Sequence, residues 1–334
     1  MRLRHSDLYA GGIVRRRRGR GFSYATAEGV PVTDDVTLER IRALAVPPAW
    51  RKVWICPHPN GHVQAVGRDS AGRRQYLYHQ QWRRERDEEK FDRVLELAEH
   101  LPRLREQVRA DLALRGVPEH RVLAAAIALL DSGVFRVGGE EYAESNGTHG
   151  VATMLREHVR VSGDAVDFEF IAKGGIRQQV TVCDAALAKA ARTLLRNPAS
   201  SDRLLVWKDA SGYHPLHAED INRRFRELTG PEFSVKDLRT WQATVHAAAD
   251  FATRELPASA RARRAVIKQV MTDVSLVLGN TATVTRASYV DPRIVTAFEQ
   301  GRTIAAALRR AQRAGPEEQR LLVDRAVTRL LRGH

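Results

Sequence analysis

Near residue 90 the apolar residues of this chain change their spacing, and that change limits the architectures open to it. Up to that point, short alternating or β-branched runs are separated by turn-forming residues. Residues 21–24 and 30–32 flank Glu28-Gly29, residues 53–56 and 62–66 flank Pro59-Asn60-Gly61, and residues 75–79 alternate. Each reads as a strand, with one short helix at 36–44 ended by Pro47-Pro48. The charged run 83–90 reads as the solvated start of a linking helix. Beyond it, apolar residues recur three and four apart at 91–114, with a break expected near Pro102, and at 118–130. The same spacing returns at 185–196, 217–228, 235–254, 258–278, 292–314 and 316–331. One strand-rich island, 158–161, 166–171 and 176–182, interrupts the helices as a three-stranded meander. The expected fold class is therefore α+β: a β-rich domain at 1–90 and a larger, mainly α domain at 91–334 carrying a small antiparallel sheet.

Charge narrows the partners. The 334 residues carry 54 Lys+Arg against 40 Asp+Glu, a formal net charge of +14. Residues 1–90 alone hold 18 basic and 10 acidic residues, so positive charge is well over twice as dense there as in the remainder. Such a surface attracts nucleic acid through counterion release without reading sequence. Arg supplies 47 of the basic residues, which codon usage alone could produce, but codon usage would not leave acids so outnumbered in one segment. The longest nearly pure apolar run, 122–130, stops at Asp131, well short of the roughly 20 residues a membrane span needs. The amino end has no apolar core of a secretory signal. Cys56 and Cys183 cannot build a disulfide framework and fit a reducing cytoplasm. A cytoplasmic, nucleoid-associated monomer with double-stranded DNA as partner and no membrane is the expectation.

No GxxxxGK[ST] or strand–GxGxxG–helix pattern offers a seat for a nucleotide cofactor. Cys56, His58 and His62 in CPHPNGH resemble metal ligands, but a fourth is missing and the stretch reads as a hairpin, so no metal is expected. What remains is a scatter of side chains in unusual settings. Arg136 follows an apolar helix in FRVGGEEY, where Gly138-Gly139 would let the backbone approach a ligand. Lys173 sits at the tip of a strand pair in FIAKGG, one of only seven lysines. Arg239 opens a helix in KDLRTW, and Asn280 and Tyr289 stand in LGNTATVTRASY. Each alone has an ordinary structural explanation: Arg136 could pair with Glu140 or Glu141, and Tyr289 could staple the next helix.

Together, in order and context, these residues resemble the small type IB DNA topoisomerases of the bacterial, poxvirus-like group. The resemblance also covers VPPAW and CPHPNGHVQAVGRDSAGRRQYLYH, so it spans nearly the whole chain. It implies a catalytic domain like that of tyrosine recombinases, a C-shaped DNA clamp, and no cofactor. It makes Tyr289 the nucleophile, Arg136 and Arg239 the catalytic arginines, and Lys173 the strand-tip lysine. Asn280 falls where many relatives carry histidine; an amide can donate to a phosphoryl oxygen but cannot act as a general acid. The implied reaction relaxes supercoiled DNA by single-strand cleavage through a 3′-phosphotyrosyl link, strand rotation and religation. In the amino domain the resemblance points to Gln75, Tyr76 and Tyr78 as DNA contacts, with Tyr142 in the other domain. Arg73 and Arg74 suit phosphates, as does the run 15–18 with Arg20, read as a solvated arm. Aromatics two apart are as often a core stripe, so the tyrosine pair has that ordinary alternative.

Two rival functions remain. A tyrosine recombinase uses the same Arg/Lys/Arg/Tyr chemistry, but usually carries His-x-x-Arg where this chain has Lys236-Asp237-Leu238-Arg239, and usually has a helical amino domain. A non-catalytic basic DNA-binding protein would explain the charge and make Tyr289 incidental.

Overall fold

The structure is a computed structural model describing residues 2–333, apart from the side chains of Glu141, Tyr142 and Glu144. It divides into two compact units, Met1–Lys90 and Phe91–His334.

The first unit is built on a five-stranded antiparallel sheet of order β2-β1-β3-β4-β5, from β1 (Ile13–Arg18), β2 (Gly21–Ala25), β3 (Arg51–Ile55), β4 (Val63–Arg68) and β5 (Arg74–Tyr78). Helix α1 (Asp35–Ala43) starts where the Asp34 carboxylate accepts from the Thr37 N–H at 2.8 Å. Its Ile41 joins Ile13, Val53, Ile55 and Ala65 in a small core, against which Tyr24 and Leu77 pack. The run 15–18 corrects the sequence reading. It is strand β1 and not a solvated arm, and the segment 30–32 contributes only a bridge between Ala25 and Pro31. Alternation explains the difference. Arg15 points inward and donates to the carbonyls of Val46, Pro47 and Trp50 at 2.7–3.0 Å, while Arg16, Arg17, Arg18 and Arg20 face water.

From Gln80 onward helices dominate: α2 (Gln80–Leu112), α3 (Glu119–Asp131), α4 (Glu140–Asn146), α5 (Ala185–Leu195), α6 (Ala218–Thr229) and α7 (Val235–Ala252). They continue with α8 (Ala260–Leu278), α9 (Ala282–Ser288), α10 (Pro292–Glu299), α11 (Ala305–Ala311) and α12 (Pro316–Arg332). Between α4 and α5 runs an antiparallel meander of β6 (Val159–Ser162), β7 (Ala165–Ala172) and β8 (Ile176–Cys183). The hairpin of β9 (Val206–Asp209) and β10 (Gly212–Pro215) has no counterpart in the sequence reading. Pro102 lies inside α2 and does not break it. The proline forgoes one backbone bond, but Leu101 and Leu104 beside it are completely buried in the core. The expected helix at 292–314 is instead two, parted where Gly301 takes φ +75°. The core of this unit gathers Leu97, Leu101, Ile127, Phe135, Phe168, Phe225, Trp241, Phe251 and Phe298. No helix among the described residues is long and apolar enough to cross a membrane.

Candidate active site

Helix α7 is the platform. It opens on a capping box, in which the Ser234 N–H and hydroxyl both donate to the Asp237 carboxylate at 3.0 and 2.7 Å. Arg239 lies in its second turn and is 6% exposed. Its Nη1 reaches the carbonyls of Gly133, Val134 and Phe135, each at 3.2 Å, and its Nη2 donates to the Leu278 carbonyl. One turn on, the Thr244 hydroxyl accepts from the Asp291 N–H at 3.1 Å and shares its single proton between the Thr240 carbonyl at 3.0 Å and the Tyr289 carbonyl at 3.3 Å. The same helix therefore sets one arginine and pins the backbone of the tyrosine.

Arg136 arrives on the segment after α3. Gly133 turns that segment at φ +82°, and Phe135 anchors it by packing on Phe168 and Phe170 of β7, with ring centroids 4.9 and 5.9 Å away. The Val151 N–H donates to the Arg136 carbonyl at 2.8 Å. Gly138, expected to make room for a ligand, instead makes room for the backbone of Gly150; a Cβ there would meet the Gly150 Cα at 2.8 Å. Arg136 does not pair with Glu140, whose carboxylate is taken by Arg203 at 2.8 Å and His217 at 2.7 Å. Its Nη2 donates to the Gly279 carbonyl at 2.8 Å and the Asn280 Oδ1 at 2.7 Å.

Those acceptors belong to the α8–α9 junction. Gly279 ends α8 in the left-handed conformation, and Thr281 caps α9 by accepting from the Val284 N–H at 3.3 Å. This seven-residue helix carries the chain from Asn280 to Tyr289, which leaves helical geometry at φ −127°. The Arg239 guanidinium carbon stands 5.6 Å from the centre of the Tyr289 ring.

The electrostatics are unusual for buried cations. Burial lowers the pKa of Arg239 to about 10, the charge of Arg136 pushes the same way, and Tyr289 opposes both. Burial likewise lowers Arg136, again opposed by Tyr289. Among the described residues, Arg136 and Arg239 donate to carbonyl and amide oxygens and to no carboxylate. Two buried donors, Arg239 Nε and Asn280 Nδ2, have no hydrogen-bond partner among the described residues. Two adjacent cations with no carboxylate partner among the described residues, together with two unused donors, are suited to an anion.

Four of the five expected residues thus meet at one place. The fifth, Lys173, is exposed at the tip of the β7–β8 hairpin, in the turn Lys173-Gly174-Gly175, both of whose glycines have positive φ. That hairpin touches the site through Gln178 of β8, whose amide would sit 2.7 Å from a Cβ on Gly279.

Two family models match this chain. Residues 79–313 match the catalytic core of eukaryotic DNA topoisomerase I, and residues 21–69 match the bacterial DNA topoisomerase IB N-terminal domain. The chain belongs to the type IB DNA topoisomerases. It is also 28% identical over 287 residues to "DNA topoisomerase 1B" of Acanthamoeba polyphaga mimivirus, covering 84% of this chain and 85% of that one. All five residues of the candidate site lie within the catalytic-core match.

The other expected topoisomerase contacts are arranged less uniformly. Residues 73–78 fall between the two matched segments. On β5, Arg74, Tyr76 and Tyr78 share the open face; the tyrosine rings stack at 5.9 Å, and the Arg74 guanidinium lies 5.4 Å from the Tyr76 ring centre. The tyrosine pair is therefore an exposed stripe, not part of the core. Gln75 points the other way and donates to Asp69 at 2.9 Å, as does Arg73. The Tyr142 side chain lies outside the described residues. Cys56 is buried with its sulfur 3.7 Å from the Ser6 hydroxyl, and among the described residues no group of His, Cys, Asp or Glu could hold a metal ion.

Sequence reasoning missed the supports: Thr244, Gln178, and the carbonyls of 133–135. A carbonyl leaves no trace in residue identity; the one available signal was glycine, at Gly133 and Gly279, where the chain turns to present them.

Proposed function

We propose that the site relaxes supercoiled DNA by cutting and rejoining one strand through Tyr289. The phenolic oxygen attacks the scissile phosphorus in line. A phosphotyrosyl ester forms at the 3′ side, the bond to the 5′ oxygen breaks, and the phenolic proton leaves to solvent. Arg136 and Arg239 meet the nonbridging oxygens, where charge accumulates, and Asn280 Nδ2 adds a neutral donor. Lys173, on its exposed hairpin, protonates the departing 5′ oxygen once DNA lies over the site. The ester conserves the energy of the broken bond, so the freed 5′ hydroxyl can reverse the attack after strand rotation, with no ATP or metal in the cycle. The open face of β5, with Arg74 and the stacked Tyr76 and Tyr78, would contact the duplex and give the amino-terminal domain its part in a clamp.

One observation supports this reading above the others: beside Tyr289 stand two guanidiniums with no carboxylate partner, and two buried donors with no hydrogen-bond partner, among the described residues. A core tyrosine would need none of them. The test is incubation with supercoiled plasmid in EDTA without nucleotide, followed by detergent trapping and mapping of the DNA-linked peptide. Relaxation with the adduct on Tyr289 is expected. A DNA shift without nicking would identify a binder, and strand exchange between defined sites a recombinase.

A further inference from the structure

Directly behind the two arginines lies a second polar cluster that the proposed reaction does not use. Asp131, at the end of α3, is buried, and both of its oxygens are engaged. Oδ1 accepts from Gln242 Nε2 at 2.8 Å and Arg105 Nη2 at 3.3 Å; Oδ2 accepts from Arg105 Nε at 2.8 Å and faces Arg320 at 3.1 Å. Arg105 bridges onward to Asp324, which accepts from the Trp241 indole at 3.0 Å. Gln242 and Trp241 follow Arg239 on α7 by three and two residues, and Asp131 begins the segment that ends at Arg136.

This segment is therefore fastened to α7 twice. Near its start, the Asp131 carboxylate holds Gln242. In its middle, the carbonyls of Gly133, Val134 and Phe135 receive Arg239. The fit between is close, since a Cβ on Gly133 would lie 2.8 Å from the Gln242 Cβ. Two carboxylates and two guanidiniums make the cluster neutral. Apolar residues of similar volume would stabilise such a core as well or better, so stability alone does not account for it. A closed polar network adds fixed geometry.

We propose that Gln242, held by Asp131, is a positioning residue that sets the spacing between Arg136 and Arg239, so that both meet one phosphate. The inference rests on the assignment of those arginines to catalysis. Misplacing a catalytic group by about 1 Å can cost on the order of a hundredfold in rate.

The test is a double-substitution cycle in the full chain. Protein in excess is mixed with supercoiled plasmid, and covalent complexes are trapped with detergent over time. Gln242→Met is expected to slow adduct formation by about tenfold or more while DNA affinity and melting temperature hold. In an Arg239→Ala background the same substitution should have no further effect, because it acts through that arginine. If Gln242→Met fails to fold, Asp131→Asn enters the same cycle. A folded Gln242→Met protein that forms adduct at the normal rate overturns the proposal. So does a slowing that persists undiminished without Arg239, the mark of a general structural defect. If Arg239→Ala alone leaves the rate unchanged, the catalytic assignment fails first and the positioning role falls with it.

Discussion

The catalytic domain buries two arginine clusters side by side and treats their charge in opposite ways. Burial pulls Arg105 down, but Asp131 and Asp324 more than offset this and raise its pKa above the ordinary value. Asp131 shows the complement: burial would raise it, yet Arg320 and Arg105 hold it down. That cluster is closed and neutral. A few residues away, Arg239 meets carbonyls and the Tyr289 ring but no carboxylate among the described residues, has Arg136 for a neighbour, and is lowered to about 10. Carbonyl partners alone do not mark a binding site, since Arg15 is held in the same way; what sets Arg239 apart is a second arginine beside it and an Nε with no hydrogen-bond partner among the described residues.

The most severe test removes the reactive atom and leaves the electrostatics. Tyr289→Phe takes away only the phenolic oxygen, so DNA binding should be retained while covalent adduct and plasmid relaxation disappear. Normal relaxation by this variant would refute the nucleophile assignment.

Next comes a direct contrast between the clusters. Arg136→Ala should slow cleavage by about 10²–10³, the usual cost of one well-placed oxyanion donor. The sign of its effect on stability follows from the lowered pKa values. The fold disfavours the charged forms, so the site costs stability at neutral pH, a cost relieved only as pH rises through about 10 and beyond for Arg239. Removing Arg136 relieves repulsion as well as losing two hydrogen bonds, and unfolding free energy should stay within about 1 kcal/mol of wild type. Arg105→Ala should do the opposite, costing about 3–5 kcal/mol by stranding two buried carboxylates. Equal destabilisation by the two variants, measured by denaturant unfolding, would erase the distinction.

Lys173 tests whether the exposed hairpin belongs to the site. Lys173→Ala should slow cleavage at an ordinary 5′ oxygen by about a hundredfold, within the range for general acids. With a 5′ thiol leaving group, which needs no proton, the loss should largely vanish. Equal slowing of both substrates would remove Lys173 as the acid.

What could be read from the sequence was what side-chain identity and spacing encode. The strands at 53–56 and 75–79, the meander, and most helices are visible in periodicity because packing on one face dictates it. In the run 15–18 four arginines mask an alternation: Arg15 satisfies its inward charge with carbonyls from 46, 47 and 50, which no local pattern predicts. At Pro102, tertiary burial of Leu101 and Leu104 outweighs one missing backbone bond, which the local sequence does not show. For the candidate site, the residue types could be picked out by their settings, but the meeting of Arg136, Arg239, Asn280 and Tyr289 could not. It depends on carbonyls turned inward at Gly133 and Gly279, and on Asp131 and Gln242, 111 residues apart in the chain. Long-range backbone acceptors carry no sequence signature.

The smallest expected effect falls on Asn280, and it sharpens the comparison most finely. Its Oδ1 serves Arg136 and its Nδ2 is an unused donor, so one side chain both orients a cation and offers a hydrogen bond. Asn280→Ala loses both at a cost of about tenfold in cleavage, the scale of one neutral hydrogen bond. Asn280→Asp keeps an acceptor for Arg136 but replaces the donor with negative charge, partly neutralising the bare cluster in the way Asp131 neutralises Arg105. If the uncompensated positive charge is what drives catalysis, Asn280→Asp must cleave more slowly than Asn280→Ala, although it is the closer match in shape. Single-turnover adduct formation ranks the two. The reverse order would mean that orientation of Arg136, and not uncompensated charge, is what this position contributes.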